Sequence, residues 1–258
     1  MKVAVSVLSA YSFCPRSVYL SEVLCLEPDS LAEMQRGVFG QEVRKKLIGK
    51  QIALLGDVND IPSLISTLRD ELDCIFEGVW KKYPLVCSEE ASKVKSEVVT
   101  DLGAFSERLS YIAEDIGFER ALRKMTPWKV DYSVSSEKLG LCGRIDKVMK
   151  EGICYPVEIK TCSPPENVWN GDKLQVCAYG LLLEEDLSLK KKIPYGFVEY
   201  ARIPEMRPVM YTDALRKSVT DTREAVCGVL EGIVPDICPH GNGRKCESCS
   251  YSKRCYEI

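Results

Sequence analysis

The sequence has no continuous apolar run that approaches the 18–20 or so residues of a membrane-spanning helix, so no membrane association is expected. It also has no excess of positive charge, because 35 Lys and Arg stand against 38 Asp and Glu and give a formal net charge of −3. This balance argues weakly against a protein that coats duplex DNA along a basic face. A local basic channel beside acidic residues is still compatible with this composition, because the opposite charges would nearly cancel in the net charge.

Export and repeat signals are weak or missing as well. The first ten residues faintly resemble a signal peptide, but serines interrupt the apolar stretch and it runs on into patterned sequence. We therefore expect a cytoplasmic protein. Apolar residues make up 45% of the 258 positions, which is enough for a substantial core, and no internal repeat is visible.

The periodicity changes from helical to strand-like near residue 130 and back again. Helices are predicted over 7–26, 31–55, 61–82, 100–125, 172–186 and 213–232, and strands over 131–136, 142–149, 153–161, 194–203 and 206–211. Ser30 with Glu33 forms a candidate capping box, and Thr212 a candidate N-cap. The pattern predicts an α/β fold with a mixed central sheet flanked by helices.

We interpret residues 1–258 as one domain with three parts. Residues 1–130 are mostly helical, 131–234 form the core with the sheet, and 235–258 form a small cysteine-rich appendage.

Two acids and a lysine stand at the ends of short apolar stretches. Gly143-Arg-Ile-Asp146 is followed twelve positions later by Glu158-Ile-Lys160. Carboxylates are costly in apolar surroundings, they are the ligands of hard divalent cations, and a nearby lysine suits a phosphate. The pattern favours a metal-dependent phosphodiesterase, although taken alone it also fits a surface hairpin with solvated charges.

The hairpin makes a geometric demand on this site. A two-residue turn at 151–152 would place Asp146 opposite Val157, so that Glu158 would project from the other face. The two acids share a face only if the loop contains three residues or one strand carries a bulge.

Gln175-Val-Cys-Ala-Tyr179 places an amide and a phenol on one face of the next helix. Together with the acid and lysine motifs, this pair resembles the RecB-like nucleases of the PD-(D/E)XK superfamily. The resemblance implies a restriction-endonuclease-like fold in which Asp146, Glu158 and the carbonyl of Ile159 bind Mg²⁺ or Mn²⁺. It further implies that Lys160 orients the attacking water and that Gln175 and Tyr179 contact DNA.

The chain contains 13 cysteines, an odd number that fits a disulfide scaffold poorly. Three of them form a tight trio, Cys246-x-x-Cys249-x5-Cys255, which needs a fourth ligand. Cys238 is the local candidate and Cys14 the distant one. His240, the one histidine, could substitute as a ligand, although a histidine in a loop is more often solvated. Spacing alone favours zinc, with an iron–sulfur cluster as the second interpretation.

The cysteine pattern also resembles a known family. Cys14 followed by Pro-Arg, together with the terminal trio Cys246, Cys249 and Cys255, resembles the CRISPR-associated RecB-like exonucleases. That resemblance implies that these four cysteines ligate a 4Fe–4S cluster, or sometimes a 2Fe–2S cluster, and that Cys238 does not. A cluster held in this way would join the two ends of the chain and stabilise the fold.

One position departs from the family pattern. RecB-like nucleases carry a metal-binding histidine shortly after an Arg-Gly pair, and here Arg36-Gly37 is followed by Gln41 at that place. An amide oxygen can ligate Mg²⁺ but is a weaker ligand than imidazole for transition metals. A Mg²⁺-preferring site, a slow nuclease and a DNA-binding relic are all consistent with this change.

The resemblance implies a DNA exonuclease that acts on single-stranded ends and trims prespacers with the CRISPR spacer-integrase complex. A channel lined by Arg16, Lys160 and Tyr179 would thread the strand. The alternatives are a weak or inactive DNA-binding adaptor and a repair nuclease of the same fold. The sequence does not decide whether the protein forms a homo-oligomer.

Overall fold

The computed structural model describes residues 1–201 and 205–258. Within these residues the strands are β1 (Val3–Ala4), β2 (Lys129–Ser136), β3 (Leu141–Glu151), β4 (Ile153–Lys160), β5 (Tyr195–Tyr200) and β6 (Glu205–Met210). The helices are α1 (Val5–Phe13), α2 (Pro15–Val18), α3 (Leu31–Ala53), α4 (Ile61–Trp80), α5 (Ser88–Ile116), α6 (Phe118–Met125), α7 (Asn170–Asp186), α8 (Asp213–Leu230), α9 (Gly243–Glu247) and α10 (Ser252–Cys255). A π-helical turn, Tyr19–Val23, follows α2.

The strands form one mixed sheet in the order β1-β3-β4-β5-β6, and β2 pairs with β3. The pairs β1–β3 and β4–β5 are parallel, whereas β2–β3, β3–β4 and β5–β6 are antiparallel. Helices flank this sheet, which confirms the predicted α/β class with a mixed central sheet.

Two hydrophobic cores hold the molecule together. One lies between the sheet and helices α1, α7 and α8, and includes the fully buried Leu8, Ile145 and Val176. The other lies within the block formed by α3 to α6, around Phe39 and Leu109. The helical block therefore has its own core, and it presents α3 to the sheet as a rigid element.

The helix predictions need several corrections. The region 7–26 is broken after α1, because Cys14 is extended and Pro15 starts a new helix. Helix α5 begins at Ser88, well before the predicted start at residue 100, and Gly117 divides the predicted helix 100–125 between α5 and α6. Three ends also move inward, since α3 ends at Ala53, α4 at Trp80 and α8 at Leu230.

Of the two predicted N-caps, one is confirmed and one is wrong. Thr212 Oγ1 accepts a hydrogen bond of 3.1 Å from the Leu215 amide, which confirms it as the N-cap of α8. The capping box at Ser30 is wrong, because its hydroxyl bonds Ser250 Oγ at 2.8 Å instead of the first turn of α3.

The strand predictions are close. The predicted strand at 194–203 appears as β5, while residues 202 and 203 of that prediction lie outside the described residues. The two-residue β1 was not predicted.

None of the helices in the described part of the chain is both long enough and apolar enough to cross a membrane.

The C-terminal tail packs against the N-terminal segment. Arg16 Nη1 donates a hydrogen bond of 2.7 Å to the Pro235 carbonyl, and Lys245 Nζ donates one of 2.9 Å to the Phe13 carbonyl. These contacts bring the two ends of the sequence together.

Candidate functional site

The β3–β4 hairpin brings the two acids onto one face. Lys150 pairs with Cys154 and Lys147 with Val157, which is the register of a three-residue loop. One step further along this register Asp146 lies opposite Glu158. Of the arrangements that the sequence left open, the structure therefore has the three-residue loop, which lets the acids share a face, and no bulge is needed in β3 or β4.

The strands part at the acid pair. The regular pairing of β3 with β4 ends at Lys147 and Val157, and beyond it the Ile159 amide donates a hydrogen bond of 2.9 Å to Asp146 Oδ2. Asp146 is only 5% exposed and Glu158 6%, so both carboxylates lie inside the protein. A solvated surface hairpin is thereby excluded.

Burial and the neighbouring charge of Asp146 raise the pKa of the Glu158 carboxyl from 4.5 to about 8. The Gln175 amide donates a hydrogen bond of 2.8 Å to Glu158 Oε1. Burial and the charge of Asp146 both oppose ionisation of Glu158, so a divalent cation bound beside the two acids would favour its charged form.

Lys160 lies among three partners. Its Nζ is 2.9 Å from Gln175 Oε1, 3.1 Å from Asp172 Oδ1 and 3.3 Å from Glu158 Oε1. Burial would lower the pKa of the Lys160 ammonium, but the charges of Glu158 and Asp172 outweigh it and raise that pKa. Lys160 therefore remains a cation, and Gln175 fixes its position by bridging it to Glu158.

Asp172 is a site residue that the sequence interpretation missed. It is 5% exposed, and its Oδ2 is buried with no hydrogen-bond partner among the described residues. The sequence could have indicated it, because Asp172 lies three residues before Gln175 and therefore on the same face of α7.

Tyr179 and Gly143 explain how closely α7 approaches β3. A Cβ added at Gly143 would lie 2.8 Å from Tyr179 Cε1, so the glycine makes room for the ring. Tyr179 is 4% exposed, and burial raises the pKa of its hydroxyl. Gln175 and Tyr179 thus lie beside the acids, and their contact with DNA stays a prediction.

Helix α3 brings two further side chains to the acids. Gln41 Nε2 donates a hydrogen bond of 2.7 Å to the Ile159 carbonyl. One turn later Lys45 Nζ lies 3.3 Å from Asp146 Oδ1 and 3.0 Å from Asp131 Oδ1. The sequence interpretation also missed Lys45, although a spacing of four residues from Gln41 places both on the same face of α3.

Partly buried ion pairs fix α3 in this position. Arg36 Nη2 lies 2.8 Å from Glu97 Oε1, and Arg44 Nε lies 2.8 Å from Asp101 Oδ2. Both acids belong to α5, so the helical block sets the distance between α3 and the sheet.

The oxygen ligands fit a hard divalent cation. Within residues 1–201 and 205–258, no group of three or more His, Cys, Asp or Glu side chains is arranged to hold a metal ion. Mg²⁺, however, is commonly bound through one or two carboxylates together with waters and substrate phosphates. Asp146, Glu158, the Ile159 carbonyl and Gln41 offer such a set, and the unpartnered oxygen of Asp172 beside them fits a site that also holds water.

The cysteines predicted to act together line one small cavity of about 20 Å³. Its lining includes Cys14, Cys246, Cys249 and Cys255, and also Cys238. Cys238 Sγ lies 3.4 Å from Cys246 Sγ and 2.7 Å from the Tyr256 hydroxyl. The structure therefore brings both candidates for the fourth ligand to the trio.

Arg16 belongs to this end of the molecule. It is 5% exposed, and its guanidinium contacts the Pro235 carbonyl and the Tyr19 ring. These contacts give Arg16 a structural role between the N-terminal segment and the tail, and its proposed contact with DNA stays a prediction.

Comparison with known proteins gives two matches. The family model for the PD-(D/E)XK nuclease superfamily matches residues 2–256. A protein of Archaeoglobus fulgidus, described as uncharacterized, is 30% identical over 129 residues, which cover 49% of this chain and 55% of that protein. The chain thus spans about half the length of this relative.

Proposed function

Because the chain belongs to the PD-(D/E)XK nuclease superfamily, we propose that it is a divalent-metal-dependent DNA exonuclease that acts on single-stranded ends. The observation that carries the chemistry is the placement of Asp146 and Glu158 side by side and buried, with Lys160 two residues further along the same strand face. Each of these buried acids is paired with one lysine, Asp146 with Lys45 and Glu158 with Lys160, and a divalent cation would favour the charged form of both.

Asp146, Glu158, the Ile159 carbonyl and Gln41 would hold Mg²⁺ or Mn²⁺. A bound ion of this kind supplies a water of lowered pKa and neutralises charge on the phosphate. Lys160 offers its ammonium to the attacking water and to the charge that develops on the phosphate oxygens. Gln175 and Asp172 hold that ammonium in place, so that little reorganisation is needed during the reaction.

The tail carries a second proposed group. Cys14, Cys246, Cys249 and Cys255 would ligate a 4Fe–4S cluster, with a 2Fe–2S cluster or zinc as the alternatives. The convergence of these four side chains on one cavity supports the proposal. Such a cluster would stabilise the contact between the two ends of the chain and leave the acid pair to do the hydrolysis.

We assign the activity to prespacer trimming in CRISPR adaptation, in company with the spacer-integrase complex. The joint presence of the nuclease motifs and the split cysteine set supports this assignment. A repair nuclease of the same fold has the same chemistry, so the test of this assignment is copurification with the integrase rather than an activity.

The exonuclease proposal is tested on linear and circular single-stranded DNA of one sequence. We expect Mg²⁺ or Mn²⁺ to support degradation of the linear form from an end, and EDTA to stop it. Two carboxylate variants provide the comparison: Asp146→Asn should lose activity, whereas Asp70→Asn, at an exposed position on α4, should keep it.

Two results would overturn the proposal. Cleavage of the circle as fast as the linear strand would indicate an endonuclease. Metal-independent binding of DNA with equal trace cleavage by both variants would indicate a DNA-binding adaptor.

A further inference from the structure

A groove of about 770 Å³ runs along α3 on the side that faces β2 and β3, and we call it the α3 groove. Five cationic side chains line it: Lys45, Lys46, Lys50, Lys82 and Arg144. Only two carboxylates, Glu42 and Asp131, belong to the same lining. The lining therefore carries more cationic than anionic side chains, and Lys50 also pairs at 3.0 Å with Glu71, which lies outside the lining.

Both carboxylates of the groove are covered by neighbours. Glu42 accepts hydrogen bonds from Lys82 Nζ at 2.5 Å and from the Tyr83 hydroxyl at 2.7 Å. Asp131 lies 3.0 Å from Lys45 Nζ and 3.3 Å from Arg144 Nη1. These contacts fix Lys82, Lys45 and Arg144 along the groove.

The groove leads to the acid pair. Lys45 lines it and also lies 3.3 Å from Asp146 Oδ1, so one side chain belongs to both the groove and the acid site. Tyr83, Ile75 and Val38 add an aromatic ring and apolar surface to the lining. Cations that follow a backbone, combined with a ring on which a base can stack, suit a single nucleic-acid strand.

We propose that the α3 groove holds the single DNA strand that the acid site cleaves, with the phosphates on its lysines. Lys45, at the junction, contacts the phosphate next to the scissile bond. The inference rests on the proposed nuclease function and adds to it the path of the substrate and a residue that touches it. Charge complementarity and the continuity of the groove with Asp146 identify the occupant.

The test removes two exposed lysines that lie away from the acids. The double variant Lys46→Ala, Lys50→Ala is compared with Lys190→Ala, Lys217→Ala, which removes the same charge from exposed positions outside the groove. Alanine is the best helix former, so α3 should stay folded, and thermal unfolding checks this. Binding of a fluorescent single-stranded oligonucleotide is measured by anisotropy in EDTA over a range of KCl concentrations.

We expect the slope of log Kd against log salt to fall by about 0.7 for each lost phosphate contact, hence by about 1.4 for the groove variant. The control pair should keep the wild-type slope. Equal slopes for the groove variant and the wild type would overturn the proposal, as would an equal fall in the control pair.

Hydrolysis of bis(p-nitrophenyl) phosphate separates this inference from the nuclease function. This small diester reaches the acid site without an extended strand, so the groove variant should hydrolyse it at the wild-type rate. If the wild type cleaves neither this diester nor linear single-stranded DNA in Mg²⁺ or Mn²⁺, the nuclease proposal fails, and the salt slope still decides whether the groove binds the strand. If only the groove variant loses hydrolysis, the lysines serve the acid site and the groove proposal is wrong.

Discussion

The side-chain amide of Gln41 donates a hydrogen bond of 2.7 Å to the backbone carbonyl of Ile159, the residue between Glu158 and Lys160. This contact joins the helical block directly to the strand that carries the proposed chemistry. An amide presents a donor on one side and an acceptor on the other, so Gln41 can serve the carbonyl without a metal and offer its oxygen to an ion.

Gln41→His should change the preference for the metal. An amide oxygen suits Mg²⁺, whereas imidazole suits transition metals, and Mn²⁺, although it also prefers oxygen ligands, accepts a nitrogen ligand more readily than Mg²⁺ does. We expect the ratio of the Mn²⁺-supported to the Mg²⁺-supported cleavage rate to rise, by about tenfold. The control is Gln35→His on the same helix, which should leave the ratio unchanged. An unchanged ratio in the Gln41 variant would exclude position 41 from the metal site.

Glu158→Gln should change how stability depends on pH in the metal-free protein. The pKa of Glu158 is raised from 4.5 to about 8, so the folded state keeps a proton that the unfolded chain loses across this range. Its contribution to the free energy of unfolding is therefore fully present below the unfolded pKa and declines as pH rises to about 8. Glutamine is neutral and has no such decline.

Thermal unfolding in EDTA at several pH values measures this difference. The Tm of the variant should rise relative to that of the wild type as pH increases from 4.5 to about 8. The rise should be about 2–4 °C for each kcal/mol by which the free energy of unfolding of the wild type falls. The same change at the exposed Glu107 should give no such trend. A constant gap between wild type and Glu158→Gln would contradict the raised pKa.

The acid site illustrates which features of a site can be predicted from a sequence. Glu158 and Lys160 must share a strand face because side chains alternate, and the loop length decided whether Asp146 joined them. Lys45 and Asp172 were missed because a charged residue on a helix is usually solvated. Only the packing of α3 and α7 against the hairpin turns these two toward the acids.

The fold shows a similar division. The predicted strands were close to the observed ones because their apolar alternation reflects burial in the sheet. The start of α5 was missed because residues 88–99 carry many charges that face solvent. The cap at Ser30 failed because a residue more than 200 positions away, Ser250, takes its hydroxyl, and a local pattern does not contain that contact.

Gly143→Ala should destabilise the protein by about 1–3 kcal/mol, because the new methyl group would overlap the Tyr179 ring. Gly103→Ala is the matched control on α5, where an added Cβ meets nothing within 4 Å, and it should stabilise by about 0.5–1 kcal/mol. Denaturant unfolding measures both. A further change, Tyr179→Leu, should recover part of the loss, and no recovery would mean that the ring is not the cause.

Cys14→Ser should remove the visible absorption and the iron of anaerobically purified protein and lower its Tm, because it takes away one of four proposed cluster ligands. Cys74→Ser, at an exposed position on α4, is the control that should keep both. Cys238→Ser should also keep the iron. Loss of iron from the Cys238 variant but not from the Cys14 variant would reverse the choice of the fourth ligand, and a colourless zinc protein would contradict the cluster.

The rate of Mn²⁺-dependent cleavage of single-stranded DNA by Lys160→Ala, measured in a single turnover beside the wild type, tests the central claim most directly. Lys160 is held among Glu158, Asp172 and Gln175, and its task in the proposed chemistry is to assist the hydrolysis. We predict a loss of about 10²–10³-fold in rate with DNA binding retained. Equal rates for the variant and the wild type would contradict the assignment of the active site.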